Sequence, residues 1–314
     1  MTHPLPAVSQ FVCGQPVTRV DGQLKVTGKA PYAADNQIPG LVYATLVCST
    51  VARGRVNHMD TSAALRHHDM LRVLTDFTGV NLPFDTRQVS YFGQPLAVVI
   101  ATTLEAAAHG ALLVDVRYSS RPMLTDIDAP QAVTQPGHFI RDYTRGDADQ
   151  AIRRASVLTD LQFSIARNNH NPMELPATIA QWDGEKLTVW DKVQSISSAR
   201  QSYAESMRVP QDHVRVISPF VGGAFGSAGG TWPHQLLAAF AARQMQRPVK
   251  LVLTRKQMYS GIGYRPTSRQ RMAIGVDHSG HLVAMIHEGR TETAKYGTYE
   301  EWLTGNPRFL YRVP

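Results

Sequence analysis

Three short segments carry the groups that could do chemistry. The first, "SPFVGGAFGSAGG" over 218–230, gathers five glycines around Phe225. A stretch so poor in side chains is costly in conformational entropy, which points to close approach of its backbone to another group. It stands between a strand-like run and a helix-like run, and N–H groups leading into a helix N-terminus attract anions. Neither the G-x-G-x-x-G fingerprint nor a Walker A is spelled there. Upstream, "GQLKVTGKA" has one residue too many for a Walker A and carries Ala30 where a hydroxyl is needed. A plain packing turn is the other reading of the glycines. The second segment is "RNNHNPMELP" over 167–176, where His170 and Glu174 stand four apart. Pro172 between them argues against one helical face, and so against a helical His/Glu metal pair. A rigid polar loop results, whose histidine is either functional or satisfied within its own turn. The third is "GIGYRPTSRQR" over 261–271, where Pro266 holds Arg265 extended beside Tyr264. An Arg held so can meet an anionic or carbonyl group of a ligand, or form a surface salt bridge.

The elements that must position these loops follow from periodicity. "GLVYATLVCS" and "PLAVVIAT" read as buried strands. The second runs into "TTLEAAAHGALLVDVRY", where Thr102 and Glu105 have capping-box spacing, giving a helix and then a strand "VDVRY". That order predicts a β-α-β unit and a small α/β domain. The stretch "SSRPMLTDIDAPQAVTQPGHFIRDYTRGDADQ" shows no sustained period and reads as a linker. Beyond it, "ATIAQWDGEKLTVWD" is a hairpin around Asp183-Gly184, "SISSARQSYAESM" a helix and "HVRVIS" a strand. Thr231 can cap a helix with Pro233 in its first turn. "RPVKLVLT" is again a strand, and "RMAIGVDHSGHLVAMIHEG" a second hairpin.

The 314 residues, 43% hydrophobic and 18% charged, fit a globular chain of roughly two domains. Net charge is +7, but the basic residues are scattered without runs or aromatic interleaving, which argues against a nucleic-acid partner. Cys13 and Cys48 are far apart, so no disulfide framework, zinc ribbon or iron–sulfur cluster can be built from them. No run is long and apolar enough to span a bilayer, and the N-terminal stretch lacks a signal-peptide pattern.

In order and separation the three loops resemble the molybdenum-binding subunit of the xanthine dehydrogenase / aldehyde oxidase family. "RVDGQLKVTGKAPYAADNQIPGLVYATLV" and "FGQPLAVVIATTLEAAAHGALLVDVRY" resemble its hammerhead domain; "HNPMELPATIAQWDGEKLTVWDKVQ" and "VGGAFGSAGG" resemble the opening of its first cofactor domain. The resemblance implies an α+β chain: an α/β hammerhead domain over 15–125, a linker over 126–150, and over 151–314 the first, incomplete part of a mixed α/β molybdopterin-binding domain. It places Gly223, Ala224, Phe225, Gly226 and His170 against a molybdenum–molybdopterin cofactor, in the cytosine dinucleotide form, and Tyr264 and Arg265 in the substrate funnel. It implies no direct metal ligand and no catalytic residue in this chain, with the general-base glutamate expected beyond Pro314. Ala224 and Ser227 stand where many members have glycine, His170 where relatives often have glutamine, and Gly229 where purine-oxidising members have glutamate, which tilts the substrate toward aldehydes. The implied reaction is hydroxylation with a water-derived oxygen. Its electrons would leave through 2Fe-2S and FAD groups on separate iron–sulfur and flavin subunits of a heterotrimer. The expected compartment is the cytoplasm, or the periplasm if a signal-bearing partner carries the complex. The resemblance also implies a fragment inactive alone, or alternatively a non-catalytic docking module left by truncation or gene splitting.

Overall fold

A computed structural model of the chain describes residues 14–139, 141–294 and 299–313. The stretch up to Cys13, read above for its lack of an export signal, lies outside the described residues. In the N-terminal part the elements are α1 (Gly22–Val26), β1 (Val42–Cys48), β2 (Gly54–Asp60), α2 (Ser62–Leu65), β3 (Met70–Leu74), β4 (Gln88–Val89), β5 (Pro95–Ala101), α3 (Leu104–Leu112) and β6 (Asp115–Ser120). After an irregular connection come α4 (Ala148–Arg154), β7 (Val157–Ile165), β8 (Asn168–Asn169), β9 (Ala177–Asp183), β10 (Lys186–Asp191), α5 (Ile196–Met207), β11 (Val214–Ile217) and α6 (Pro233–Met245). The chain then runs through β12 (Val249–Val252), α7 (Arg255–Gly261), β13 (Tyr264–Arg265), β14 (Ser268–Val276), β15 (Leu282–Thr291) and α8 (Pro307–Leu310).

The apolar run of β5 is buried at every position, as a strand covered on both faces must be. Val98 and Ile100 join the main core with Phe240 of α6 and Tyr203 of α5, while Ala97 and Val99 pack toward Val47 and Met70. One seven-stranded sheet, ordered β11-β10-β9-β12-β1-β5-β3, crosses from one half of the sequence to the other. The joint is the parallel pair β1–β12, with Val42 opposite Val249. Phe77 meets Phe240 edge-on at 6.0 Å, so the N-terminal half shares its core with the C-terminal half.

Several expectations need correcting. The β5–α3–β6 stretch is not a β-α-β unit within one sheet, because β6 leaves to pair antiparallel with β2 in a separate sheet, β4-β2-β6. Strand order depends on a distant partner, which local periodicity does not encode. The cap of α3 is Thr103, whose hydroxyl accepts from Ala106 N–H; Thr102 instead donates to Asp69 Oδ1. The helix α6 starts one residue later than expected, with Trp232 at the N-cap position and Pro233 at its first helical position. The β9–β10 turn consists of Gly184 and Glu185, since Asp183 still pairs with Lys186, and Gly184 takes φ +56° there. The remaining three-stranded sheet, β15-β14-β7, carries the second hairpin.

Candidate functional site

The glycine-rich loop leaves the end of β11 and returns as α6. Ser227 closes a turn inside it, donating both its N–H (2.9 Å) and its hydroxyl (2.7 Å) to the Ala224 carbonyl. Gly229 N–H donates to the Gly226 carbonyl at 3.1 Å, and Gln194 N–H to the Ala228 carbonyl at 2.8 Å. Ala224, Ser227 and Ala228 are buried, so the turn is anchored. At its tip Phe225 (φ +54°) and Gly226 (φ +97°) are both in the left-handed region, and the Phe225 side chain is 73% exposed. A large apolar residue held both strained and exposed has no folding rationale of its own. Among the described residues, the N–H groups of Gly223, Ala224, Phe225 and Gly226 meet no acceptor. Four successive backbone N–H groups without an acceptor are donors that anionic oxygens could satisfy.

The second loop is bracketed from two sides. Arg255, at the start of α7, donates to Asn171 Oδ1 (3.1 Å), to the Pro172 carbonyl and to the Met173 carbonyl (3.0 Å). Buried Lys192 donates to the Glu174 carbonyl at 2.6 Å and stands 3.5 Å from Glu174 Oε2. That same Oε2 accepts the N–H of Gly222 at 2.6 Å, tying the histidine loop to the glycine loop. Burial pushes the Lys192 ammonium below its usual value, against the pull of Glu174. Glu174 is therefore engaged in bracing rather than offered with His170 as a metal pair, although its Oε1 is buried with no partner in the structure. The His170 ring lies over Gly226, where a methyl group would meet its Cε1 at 3.5 Å. Burial, and then the positive charge of Arg265, hold the His170 pKa below the usual histidine value, so the ring is neutral at pH 7.

The third segment reaches the other two through β13, in which Tyr264 pairs with Asn169 and Arg265 with Asn168. Arg265 is 59% exposed on its side chain and pairs with Glu301 at 2.8 Å, so the salt-bridge reading of this residue is realised. Its charge still reaches His170, as the histidine's lowered pKa records. Tyr264 faces elsewhere: the Arg167 guanidinium sits 4.2 Å from its ring centre, and both line an open cavity of about 2670 Å³ between the linker and β15. Residues 223–226, His170 and Arg265 do not line that cavity. His170 thus lies over Gly226, beside Phe225, and β13 brings Tyr264 and Arg265 against residues 168–169 of the same loop, with Tyr264 lining the separate cavity.

Sequence reasoning missed Trp232. Its indole N–H donates to the Ser227 carbonyl, and its ring fills the space in front of Gly263, where a methyl group would lie 2.6 Å from Trp232 Cη2. The glycine at 263, in the sequence only part of a flexible-looking "GIG", is the signal that could have found it. Gly263 has φ +73°, so Gly263→Ala meets both backbone strain and a clash. We expect it to cost about 2–3 kcal/mol in urea unfolding. A loss below about 0.5 kcal/mol would show that Trp232 is free to move.

Residues 131–311 match the family described as molybdopterin cofactor-binding domain, and residues 27–122 the aldehyde oxidase and xanthine dehydrogenase, a/b hammerhead domain. The chain belongs to the aldehyde oxidase and xanthine dehydrogenase family. It is 36% identical over 301 residues to the aldehyde oxidoreductase molybdenum-binding subunit PaoC of Escherichia coli (strain K12), covering 92% of this chain and 41% of that protein. It is 26% identical to the 6-hydroxypseudooxynicotine dehydrogenase complex subunit gamma of Paenarthrobacter nicotinovorans, covering 88% of this chain and 38% of the relative. The chain thus spans about two fifths of the length of these relatives. In fold it is similar to CO dehydrogenase from Oligotropha carboxidovorans (TM-score 0.77, 23% identity, 88% of this chain and 39% of that one). It is also similar to the aldehyde oxidoreductase from Desulfovibrio gigas (TM-score 0.75, 22% identity, 87% and 34%).

The geometry suits such a cofactor. An oxygen-rich, anionic group would meet N–H donors without an acceptor among the described residues, the exposed Phe225 ring and, over Gly226, the His170 imidazole. The Ala224 side chain is buried and the Ser227 hydroxyl closes the turn. Among the described residues no helix is long and apolar enough to cross a membrane.

Proposed function

We propose that this chain is the hammerhead and first cofactor-contacting segment of a molybdenum-dependent aldehyde oxidoreductase subunit. The supporting observation is the tip of the glycine loop, where a strained, exposed Phe225 and four unpaired N–H groups lie beside neutral His170. The cofactor, as the cytosine dinucleotide, would supply the redox chemistry by which an aldehyde carbon gains a water-derived oxygen. The residues of this chain bind and orient. The N–H groups of 223–226 hold anionic oxygens, and the Phe225 ring keeps water from the reacting face. His170, being neutral, can donate one hydrogen bond and accept another. Arg265, steadied by Glu301, presents a positive charge toward a carbonyl or carboxylate at the mouth. Gly229 offers no carboxylate to a purine, in keeping with an aldehyde substrate. The general-base glutamate would come from another part of the subunit, and 2Fe-2S and FAD from partner subunits, in the cytoplasm or, with an exported partner, the periplasm.

A docking module is the second reading, and one observation favours it. Val157, Leu158, Leu161, Phe163 and Ile165 leave the edge strand β7 apolar and exposed on both faces, a surface outside the hammerhead that a partner could cover. One experiment separates the two readings. In the assembled complex, Phe225→Gly removes the left-handed strain, so the unfolding free energy should rise by about 0.5–1 kcal/mol while molybdenum content per complex falls several-fold. Unchanged molybdenum in Phe225→Gly and His170→Ala, with assembly intact, would overturn the cofactor reading and leave the docking one.

A further inference from the structure

On the hammerhead side, three groups with no role in the proposed reaction come together: His67, His68 and Asp69. We propose that they form a site for a divalent transition-metal ion of the zinc, nickel or copper class. They follow α2 in a hydrogen-bonded turn, with His67 N–H donating to the Ala64 carbonyl and Met70 N–H to the His67 carbonyl. Their backbone is therefore fixed before any ion binds. One ligand atom from each of His67, His68 and Asp69 lies within 4.8 Å of the others. His68 Nε2 stands 2.9 Å from Asp69 Oδ2, a direct pair that must open to roughly 3.3 Å for both atoms to ligate one tetrahedral ion. The other carboxylate oxygen is held from behind, since Thr102 donates its hydroxyl to Asp69 Oδ1 at 3.1 Å and its N–H to the Asp69 carbonyl. Such outer-shell anchoring orients a ligating carboxylate. His109, from α3, meets the His67 ring edge-on with centres 5.5 Å apart, a neighbour outside the three-residue group.

The donor chemistry selects the ion. Imidazoles with a single carboxylate suit borderline transition metals and not calcium or magnesium, which need oxygen sets. Without an ion the cluster has little to stabilise it: a His68–Asp69 pair with the histidine 84% exposed is worth little. The His67 and His68 rings stack 4.7 Å apart and must turn to share one ion. His68 is free to do so at the surface. The long contact from Asp69 N–H to His67 Nδ1, at 3.3 Å, is the one hydrogen bond the His67 ring makes among the described residues, so a tautomer change costs little.

Equilibrium dialysis of the untagged full chain against zinc, paired with the visible absorption of the cobalt-substituted form, tests the assignment. One saturable equivalent is expected, with the intense bands of tetrahedral cobalt. His68→Ala and Asp69→Asn should each weaken binding at least about tenfold. His281→Ala, at the unrelated His281–Asp277 pair, should leave it unchanged. The exposed position of His68 makes its replacement safe for folding. Absence of saturable binding, or binding that survives His68→Ala and His67→Ala together, would overturn the site.

Discussion

Acidification from pH 7 to about 3 is expected to remove about 3–5 kcal/mol of stability through one residue, His234. His234 is the second residue of α6, is 3% exposed, and has no partner for its Nδ1. Burial pushes its pKa from 6.5 down to about 3. A base whose folded value is depressed is kept neutral by the fold and takes up its proton mainly after unfolding. Its contribution is intact above about 6.5 and is lost progressively as pH falls toward 3. His170 and His287 are shifted in the same direction, also by burial first, and add to the slope. A charge on His234 would also sit at the positive end of α6, which opposes it further. Because α6 carries the glycine loop at its N-terminus, the loop should loosen in the same pH range. Urea unfolding of the wild type and His234→Leu across this range checks the prediction: the variant should flatten the acid limb. An identical acid limb in both proteins would assign it to other groups.

Replacing Asp191 by alanine should cost about 3–5 kcal/mol, because it strands three buried donors at once. The carboxylate ends β10 in the core and accepts from Thr178 (2.8 Å), Tyr203 (2.7 Å) and Gln235 (2.7 Å). Burial drives its pKa up, and the three donors pull it back. Gln235 in turn accepts the N–H of Trp232, whose indole holds the Ser227 carbonyl. Asp191 therefore sets the glycine loop through two intermediaries without touching it. Asp191→Ala should shift the urea midpoint strongly and raise amide exchange at residues 223–229, while distant β14 stays protected. A cost under about 1 kcal/mol would mean that the network is not cooperative.

The seven-residue apolar run of β5, the alternation of β9 and β10 and the Ser195-capped α5 were legible because each pattern is local: it reports which faces are covered over one element's length. The three loops were legible as chemistry because glycine, proline and histidine restrict or free the backbone wherever they occur. Arg265 shows the limit. Its extended backbone followed from Pro266, but its partner, Glu301, is chosen by the fold. His234 shows it again, since one histidine in an apolar helical stripe gives no sign that its Nδ1 will be sealed without an acceptor.

By itself, then, the sequence determined the element types, the family resemblance and the three loops with chemical potential. Only the tertiary structure decided that β1, β5 and β3 extend the sheet of the other half through Val42 and Val249, that β6 leaves that sheet, and that His170 lies on Gly226 while Tyr264 turns away. Backbone preference and side-chain period act over a few residues, whereas strand partners and loop convergence are settled by which distant apolar faces exclude water together.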